Sequence, residues 1–589
     1  MADSNPQIMT SNNNNPPVKT PIKTLAENRH SKKKVLVAGG GISGLSAAFE
    51  LSEDPNIDIT IVESSATCGG KMIGYFNSDE QRFEEHSIRA LSSTYFSLFN
   101  IFDRAGLLHM LTAVEDYQFY QSGHGNVEDS DNHNDNSGQK DEQKGKRVAI
   151  DRRAAIDLQT IEAMIETFDL NKKNMLQLVQ RIVHHVNASD EERAAMAFKT
   201  AGEVIGIDDF DAHTKQFITN WFGILTGARM HSKAVDIMDS FVLMFLPMTE
   251  APVLPEGETS KSYCFNRPTS EVIEALVEKL KARGVTIVTQ ARVLNMHHHD
   301  DGQISVDIGG DNGTTDGLPQ QHYDAAVMAL PHEVLWKMGL LPQVKKPFND
   351  EWSFGSQFPL AEIPAVFEPF LGKSYNLCFD APWNIVFQIQ HRGGFWQDVE
   401  FPDSFDYNLS ATCSSPFNRG SLFGKRFMEC TPAEAKEEIL YQLGITDAEQ
   451  RQAIAQGGVI DPVNLLYTDN WQPYTDIETA EMGILQDNGK RWVDLAQIYV
   501  RNADDELIET TTQWNNVVVA GEIVSVTGRW KIPTMEQAAT SGKQAAQALF
   551  TVMEREQTVS IETSTLMHQA RYKYLDPIVS ALSAVTKRL

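Results

Sequence analysis

Lys33-Lys-Val-Leu-Val-Ala-Gly39-Gly40-Gly41-Ile42-Ser43-Gly44-Leu45-Ser-Ala-Ala-Phe-Glu-Leu51, with Ile57-Asp-Ile-Thr-Ile-Val62-Glu63 just behind it, decides the fold. Val35 to Ala38 is a short unbroken apolar run, the pattern of a strand buried on both faces. Ile42 to Leu51 reads as the helix after it, and Ile57 to Val62 as the next strand. Between strand and helix the glycines Gly39, Gly41 and Gly44 are spaced as G-x-G-x-x-G. The first allows the tight turn, the second lets backbone approach a pyrophosphate, and the third lets helix pack closely on strand. Phosphate oxygens would then meet the free N–H groups of Ile42 and Ser43 at the helix's positive end. Glu63 ends the second strand 19 residues after Gly44. A carboxylate there accepts hydrogen bonds from both ribose hydroxyls and repels a 2′-phosphate, with Ser64 beside it. The unit is read as an adenine-dinucleotide site that does not take NADP.

The segments beyond Glu63 select the dinucleotide. Cys68-Gly69-Gly70-Lys71 comes first. It resembles the glycine pair and basic residue of flavin amine oxidases and carotenoid desaturases, with Lys where Arg is usual; Lys keeps the charge and loses the fork. Phe83-Glu84-Glu85-His86-Ser87-Ile88-Arg89 is similar to the desaturase segment that passes under the flavin, with Ser87 where glycine is expected. Val517-Val-Val-Ala-Gly521-Glu522 and Thr534-Met535-Glu536-Gln537-Ala538 resemble the superfamily's C-terminal FAD motif, with Gln537 in place of a glycine. The resemblance implies FAD as cofactor. It puts Glu522 at the ribityl or pyrophosphate region and the helix start at Thr534, Met535 and Ala538 against the flavin edge. Val293 is implied against the adenine, and Tyr323 to Pro331 as a strand returning to the flavin domain. His86 and Arg89 are the residues implied on the flavin's substrate side; no catalytic residue is assigned.

The expected class is mixed α/β: a Rossmann-type FAD-binding domain assembled from residues 32–95, 265–335 and 510–550, with a substrate domain from 96–264 and 336–509 inserted between. Helical periodicity dominates from Ile156 to Met248, Ser270 to Arg283 is a helix, Val285 to Val288 a strand, and Ala291–Met296 and Ile304–Ile308 a hairpin. Residues 380–500 are expected to hold strands and loops. Residues 1–31 and a polar insertion at 121–146 read as disordered, and 551–589 as a C-terminal helical extension with one apolar face.

Composition narrows the partners. With 51 Lys+Arg against 79 Asp+Glu the chain carries −28, which disfavours nucleic acid. Five scattered cysteines form no CxxC pair and suit a reducing compartment. The polar, Asn-rich start carries no secretion-signal pattern, and no apolar run is long enough to span a bilayer. A cytoplasmic protein is expected, with the apolar face of the C-terminal helix docked on the protein's own surface and peripheral membrane contact through that helix as the alternative. His297-His298-His299 before Asp300 and Asp301 invites a metal reading, but neighbouring strand residues face opposite ways, so a solvated hairpin end is expected and no metal. The glycines near Gly309 and Gly393 lack the strand–turn–helix context of a second nucleotide site, so electrons are expected to leave to oxygen or a quinone. Glu85-His86-Ser-Ile-Arg89 followed by Tyr95-Phe-Ser-Leu-Phe99, and Phe265-Asn-Arg-Pro-Thr269, resemble the carotenoid-desaturase and hydroxysqualene-dehydroxylase-like side of the superfamily. That implies an oxidoreductase that takes hydride from a small apolar substrate, isoprenoid or lipid in character. A flavin amine oxidase, a redox-neutral double-bond isomerase and a non-catalytic flavoprotein stay open.

Overall fold

The computed structural model describes residues 32–85, 87–124, 145–151, 158–226, 229–245, 262–310, 322–339, 341–344, 353–373, 375–391, 396, 399, 404–461, 465–468, 484–487, 490–494, 501, 503–528 and 530–561. Five short strands, Lys33–Ala38 (β1), Ile57–Val62 (β2), Thr286–Val288 (β3), Ala325–Met328 (β4) and Val517–Val519 (β5), form one parallel sheet in the order β3-β2-β1-β4-β5. Val37 lies beside Ile61 on one side and Val327 on the other, and Met328 lies beside Val519. Val35, Leu36, Val37 and Ala325 to Val327 are wholly inaccessible, as an unbroken apolar run requires when helices cover both faces. Helix Ile42–Leu51 (α1) follows β1 and helix Met535–Val552 (α2) closes the chain's last strand–helix unit. At Gly542 of α2 an added Cβ would stand 2.3 Å from the Ser43 carbonyl, so α1 and α2 touch backbone to backbone. The sheet thus draws strands from three distant stretches of sequence.

A seven-stranded sheet orders Val459–Ile460, Phe354–Leu360, Tyr407–Cys413, Ile385–His391, Asn376–Cys378, Asp116–Gln121 and Lys146–Asp151. Its core holds Phe354, Trp383, Phe387 and Phe427. Among the described residues, six α-helices between Leu158 and Phe245 bear out the helical periodicity there. Two readings need correction. Among the described residues of 380–500 there are two α-helices, Pro432–Gln442 and Ala448–Gly457, besides strands. The polar insertion also starts later than 121 and ends before 146, because Gln121 and Lys146 pair across adjacent antiparallel strands. Residues 1–31, 125–144, His86 and the apolar-faced segment 566–589 lie outside the described residues.

Candidate active site

A cavity of about 1250 Å³ opens over the carboxyl ends of β1, β2, β4 and β5. That exceeds the roughly 300–1,000 Å³ of a site for one small ligand. It is where an open α/β sheet places a ligand, between strands whose connections leave in opposite directions.

The glycine turn forms one wall. Gly39 has φ +101°, and a Cβ there would lie 2.3 Å from the Ala329 carbonyl oxygen. Gly44 does not reach the cavity: its Cβ would lie 2.0 Å from the Gly39 oxygen, so it serves helix–strand packing. Gly41 is different. It caps α1 with no side-chain cap, lines the cavity, and a Cβ there would find only Gly70 Cα, at 3.8 Å. The start of α1 therefore stands beside open space at Gly41, and Ile42 and Ser43 line the cavity there. Glu63 accepts the Gly40 N–H at 2.7 Å and the Ser65 N–H at 2.8 Å, and Ser64 donates its hydroxyl at 3.2 Å. These bonds fix the carboxylate at the cavity edge. Gly69 and Gly70, at φ +135° and +55°, lay the next loop on the turn, with the Gly69 N–H bonded to the Gly40 carbonyl at 2.9 Å.

From that loop Lys71 reaches Glu522, Nζ to Oε1 2.5 Å, joining residues 451 apart in sequence. Burial pushes the Glu522 carboxyl above its usual value and Lys71 pulls it back. Gly521, Glu522, Thr534, Met535 and Ala538 line the cavity from the β5 side, and Val293 from the hairpin side. Gln537, where a glycine is expected, also lines the cavity, and its Nε2 donates to the Gly521 and Val524 carbonyls, each at 3.1 Å. Arg89 donates to Ser87 Oγ at 2.5 Å and to the Lys71 carbonyl at 2.7 Å, so Ser87 acts as its acceptor. Burial lowers the Arg89 pKa, while Glu85 and Asp461 act the other way.

The far end of the cavity escaped sequence reasoning. Tyr375, Val386, Thr412 and Ser414 come from the seven-stranded sheet and its margins, and Met244 from helix Ala234–Phe245. They meet Ile88, Ala90 and Tyr95. Tyr95 packs edge-on to Trp530 at 4.9 Å, and Tyr375 lies 4.9 Å from Tyr117. Burial raises the pKa of both cavity phenols, keeping them protonated. Glu536, behind this wall, accepts the N–H groups of Ser97 and Leu98 at 2.9 and 3.0 Å, and burial pushes its carboxyl up to about 7. The three histidines of the hairpin diverge, to Asp307, Asn516 and Ser305. No cluster of metal-ligating side chains occurs among the described residues.

An open Gly41, an uncapped helix start and a carboxylate at the end of β2 fit a flavin adenine dinucleotide, the pyrophosphate needing donors and the sugars needing acceptors. Fold and site define an FAD-dependent oxidoreductase. The chain belongs to the flavin containing amine oxidoreductase family, whose pattern matches residues 42–358, more than half of its length. Over 96 residues it is 38% identical to a carotenoid phi-ring synthase of Chlorobaculum tepidum, a match covering 16% of this chain and 15% of that protein. Over 41 residues it is 49% identical to thiamine thiazole synthase 3 of Physcomitrium patens, 7% of this chain and 12% of that protein. Among solved structures, a protein assigned as a protoporphyrinogen oxidase from Exiguobacterium sp. 255-15 superposes with a TM-score of 0.50 at 15% identity, covering 89% of this chain and all of that one. A redesigned putrescine oxidase gives 0.52 at 13% identity, over 88% and 99%. At these identities the structural likeness carries the fold alone.

Proposed function

We propose that the chain oxidises an apolar substrate, isoprenoid- or lipid-like, by taking hydride from one carbon and releasing a proton from its neighbour to leave a double bond. FAD, when bound, supplies the two-electron acceptor, and the electrons pass on to oxygen or a quinone. Gly39, Gly41, Ile42, Ser43, Gly69, Gly70 and Lys71 are assigned to the pyrophosphate, Glu63 and Ser64 to the ribose, and Val293 to the adenine. Gly521, Glu522, Thr534, Met535 and Ala538 are assigned to the flavin side, with Gly44 supporting the turn from behind. Segments 32–95, 265–335 and 510–550 hold the cofactor in this reading, and the remainder of the folded chain shapes the substrate's end. The protein would work in the cytoplasm, touching a membrane through its C-terminal segment; no helix among the described residues is long and apolar enough to cross one.

The observation that carries this reading is the far end of the cavity. Ile88, Ala90, Met244 and Val386 wall it with Tyr95 and Tyr375 and the hydroxyl residues Thr412 and Ser414, and no carboxylate at that end lines it among the described residues. The charged side chain there is Arg89. A protonated amine would lose its hydration beside a like charge, which costs binding; an apolar chain loses nothing and gains about 25 cal/mol for each Å² it buries. The amine-oxidase alternative therefore fits this end poorly. The test is an anaerobic titration of the oxidised-flavin band with polyenes, isoprenoid alcohols and aliphatic amines. Bleaching by a polyene or isoprenoid supports the proposal. Bleaching by amines alone overturns it, and product formed with the band unchanged and no acceptor present would mean an isomerase.

A further inference from the structure

Sequence motifs drew attention to Glu63 and Glu522, yet a third carboxylate borders the same cavity. Glu333 follows β4 in the first turn of helix His332–Met338 and lines the cavity with Leu330 and Val334. An acid in a helix's first turn is favoured by the helix end, and that would account for Glu333 if its oxygens were solvated or bonded. The residue is half-buried, and its Oε2, unlike Oε1, is buried with no hydrogen-bond partner among the described residues. A buried acceptor left unpaired is costly, so an unpaired one facing a ligand cavity points to a donor on the ligand.

The sheet order says which part of the ligand. Glu63 closes β2, on one side of β1, and Glu333 and Glu522 follow β4 and β5, on the other. The pyrophosphate belongs at the start of α1, directly above β1, because that is where the uncapped N–H groups lie. A dinucleotide with its adenosine on the Glu63 side therefore has its ribityl chain on the Glu333 side. We infer that Glu333 is a cofactor-selecting residue, its carboxylate accepting a hydrogen bond from a ribityl hydroxyl of FAD. An ionised carboxylate accepts and does not donate, so it takes a polyol and repels a phosphate. Glu522 lies close enough for Glu333 to raise its pKa further, after burial and against the pull of Lys71. Two acids beside one lysine at this end thus favour a neutral, hydroxyl-rich link. The inference rests on FAD as the cofactor and is independent of the substrate proposed above.

The experiment strips the full-length protein of flavin and titrates it with FAD and, separately, with ADP, following tryptophan and flavin fluorescence. Glu333→Ala weakens FAD roughly ten- to hundredfold, the range for one charge-assisted hydrogen bond, and leaves ADP within about twofold, since ADP lacks the ribityl chain. Glu333→Gln, which keeps the shape and loses the charge, weakens FAD by a smaller factor. It carries the test alone if the alanine variant does not fold. The melting temperature of the flavin-free protein is unchanged in the glutamine variant, which a purely structural role for Glu333 would not leave so. FAD affinity within twofold of the parent in both variants, or equal weakening of FAD and ADP, overturns the inference.

Discussion

Two glycines of one motif should fail in different ways when given a methyl group. At Gly44 the new Cβ would sit 2.0 Å from the Gly39 carbonyl oxygen and 3.2 Å from Val37 Cγ1. Ordinary contact needs more than 3.4 Å, so α1 must lift off β1 by over an ångström, against backbone that cannot rotate away. Overpacking of this kind costs about 1–3 kcal/mol. Gly41 has φ −72° and ψ 177°, which any residue adopts, and its nearest obstacle is Gly70 Cα at 3.8 Å. Gly41→Ala exchanges one uncapped N-cap residue for another and should cost the fold less than about 1 kcal/mol. Its methyl group instead occupies the space above the helix start. If it displaces one phosphate–N–H bond of about 1.5–3 kcal/mol, FAD affinity falls roughly ten- to a hundredfold.

The assay is a pair of measurements on each flavin-free variant: a melting curve, and an FAD titration on whatever fraction is folded. Gly44→Ala should melt several degrees low, and FAD, by binding only the folded form, should recover part of that loss. Gly41→Ala should melt like the parent and gain little from added FAD. A Gly41→Ala protein that binds FAD like the parent would refute the claim that this backbone borders the pyrophosphate. A Gly44→Ala protein that melts like the parent would refute the packing argument.

Glu536 makes stability depend on pH. Its folded pKa, about 7, lies above the usual 4.5, so its contribution is complete below about 4.5 and is lost as pH rises through 7. Between about pH 5.5 and 8 the parent should lose about 2 kcal/mol relative to Glu536→Gln; parallel melting curves for the two proteins would contradict this. The five cysteines are all buried, and burial together with the charge of Glu63 pushes the Cys68 thiol up to about 12. At about pH 8 the native protein should react with a thiol reagent only as fast as it unfolds, and rapid labelling of Cys68 in the native state would show that the Glu63 loop opens.

The phosphate-binding half of the site is legible because its information is local. A glycine is needed wherever the turn must have positive φ or a close neighbour, and β1, α1 and β2 succeed one another between Lys33 and Val62. Gln537 was legible only as a departure: its identity marks the missing glycine, but the carbonyls of Gly521 and Val524 that receive its amide become visible only in three dimensions. Ser87 is a similar case, since the guanidinium it serves is held at the same time by the Lys71 carbonyl. The two missed helices are another matter. Thr431-Pro432-Ala433-Glu434 forms a capping box with Pro at the first helical position, and Asp447 caps the next helix. That is a sequence-level start signal, masked by the aromatic residues around it.

The far end of the cavity could not have been read from the sequence, and the reason is physical. Tyr375 immediately precedes a strand, Asn376–Cys378, that runs parallel to Gln118–Tyr120, and Val386 lies opposite Leu377 on the next strand. A slip of one residue in either pairing would turn Val386 away from the cavity. Pairings between segments about 258 positions apart carry no short-range signature, whereas a pyrophosphate is met by backbone amides whose exposure depends on one residue type. In the proposed reading the backbone at Gly39 and Gly41 answers to the cofactor's geometry whatever the substrate, while Gly44 answers to helix–strand packing. In that reading the wall of Tyr95, Met244, Tyr375 and Val386 answers to the substrate, so that wall and Arg89, rather than the glycine motif, are where specificity is to be sought.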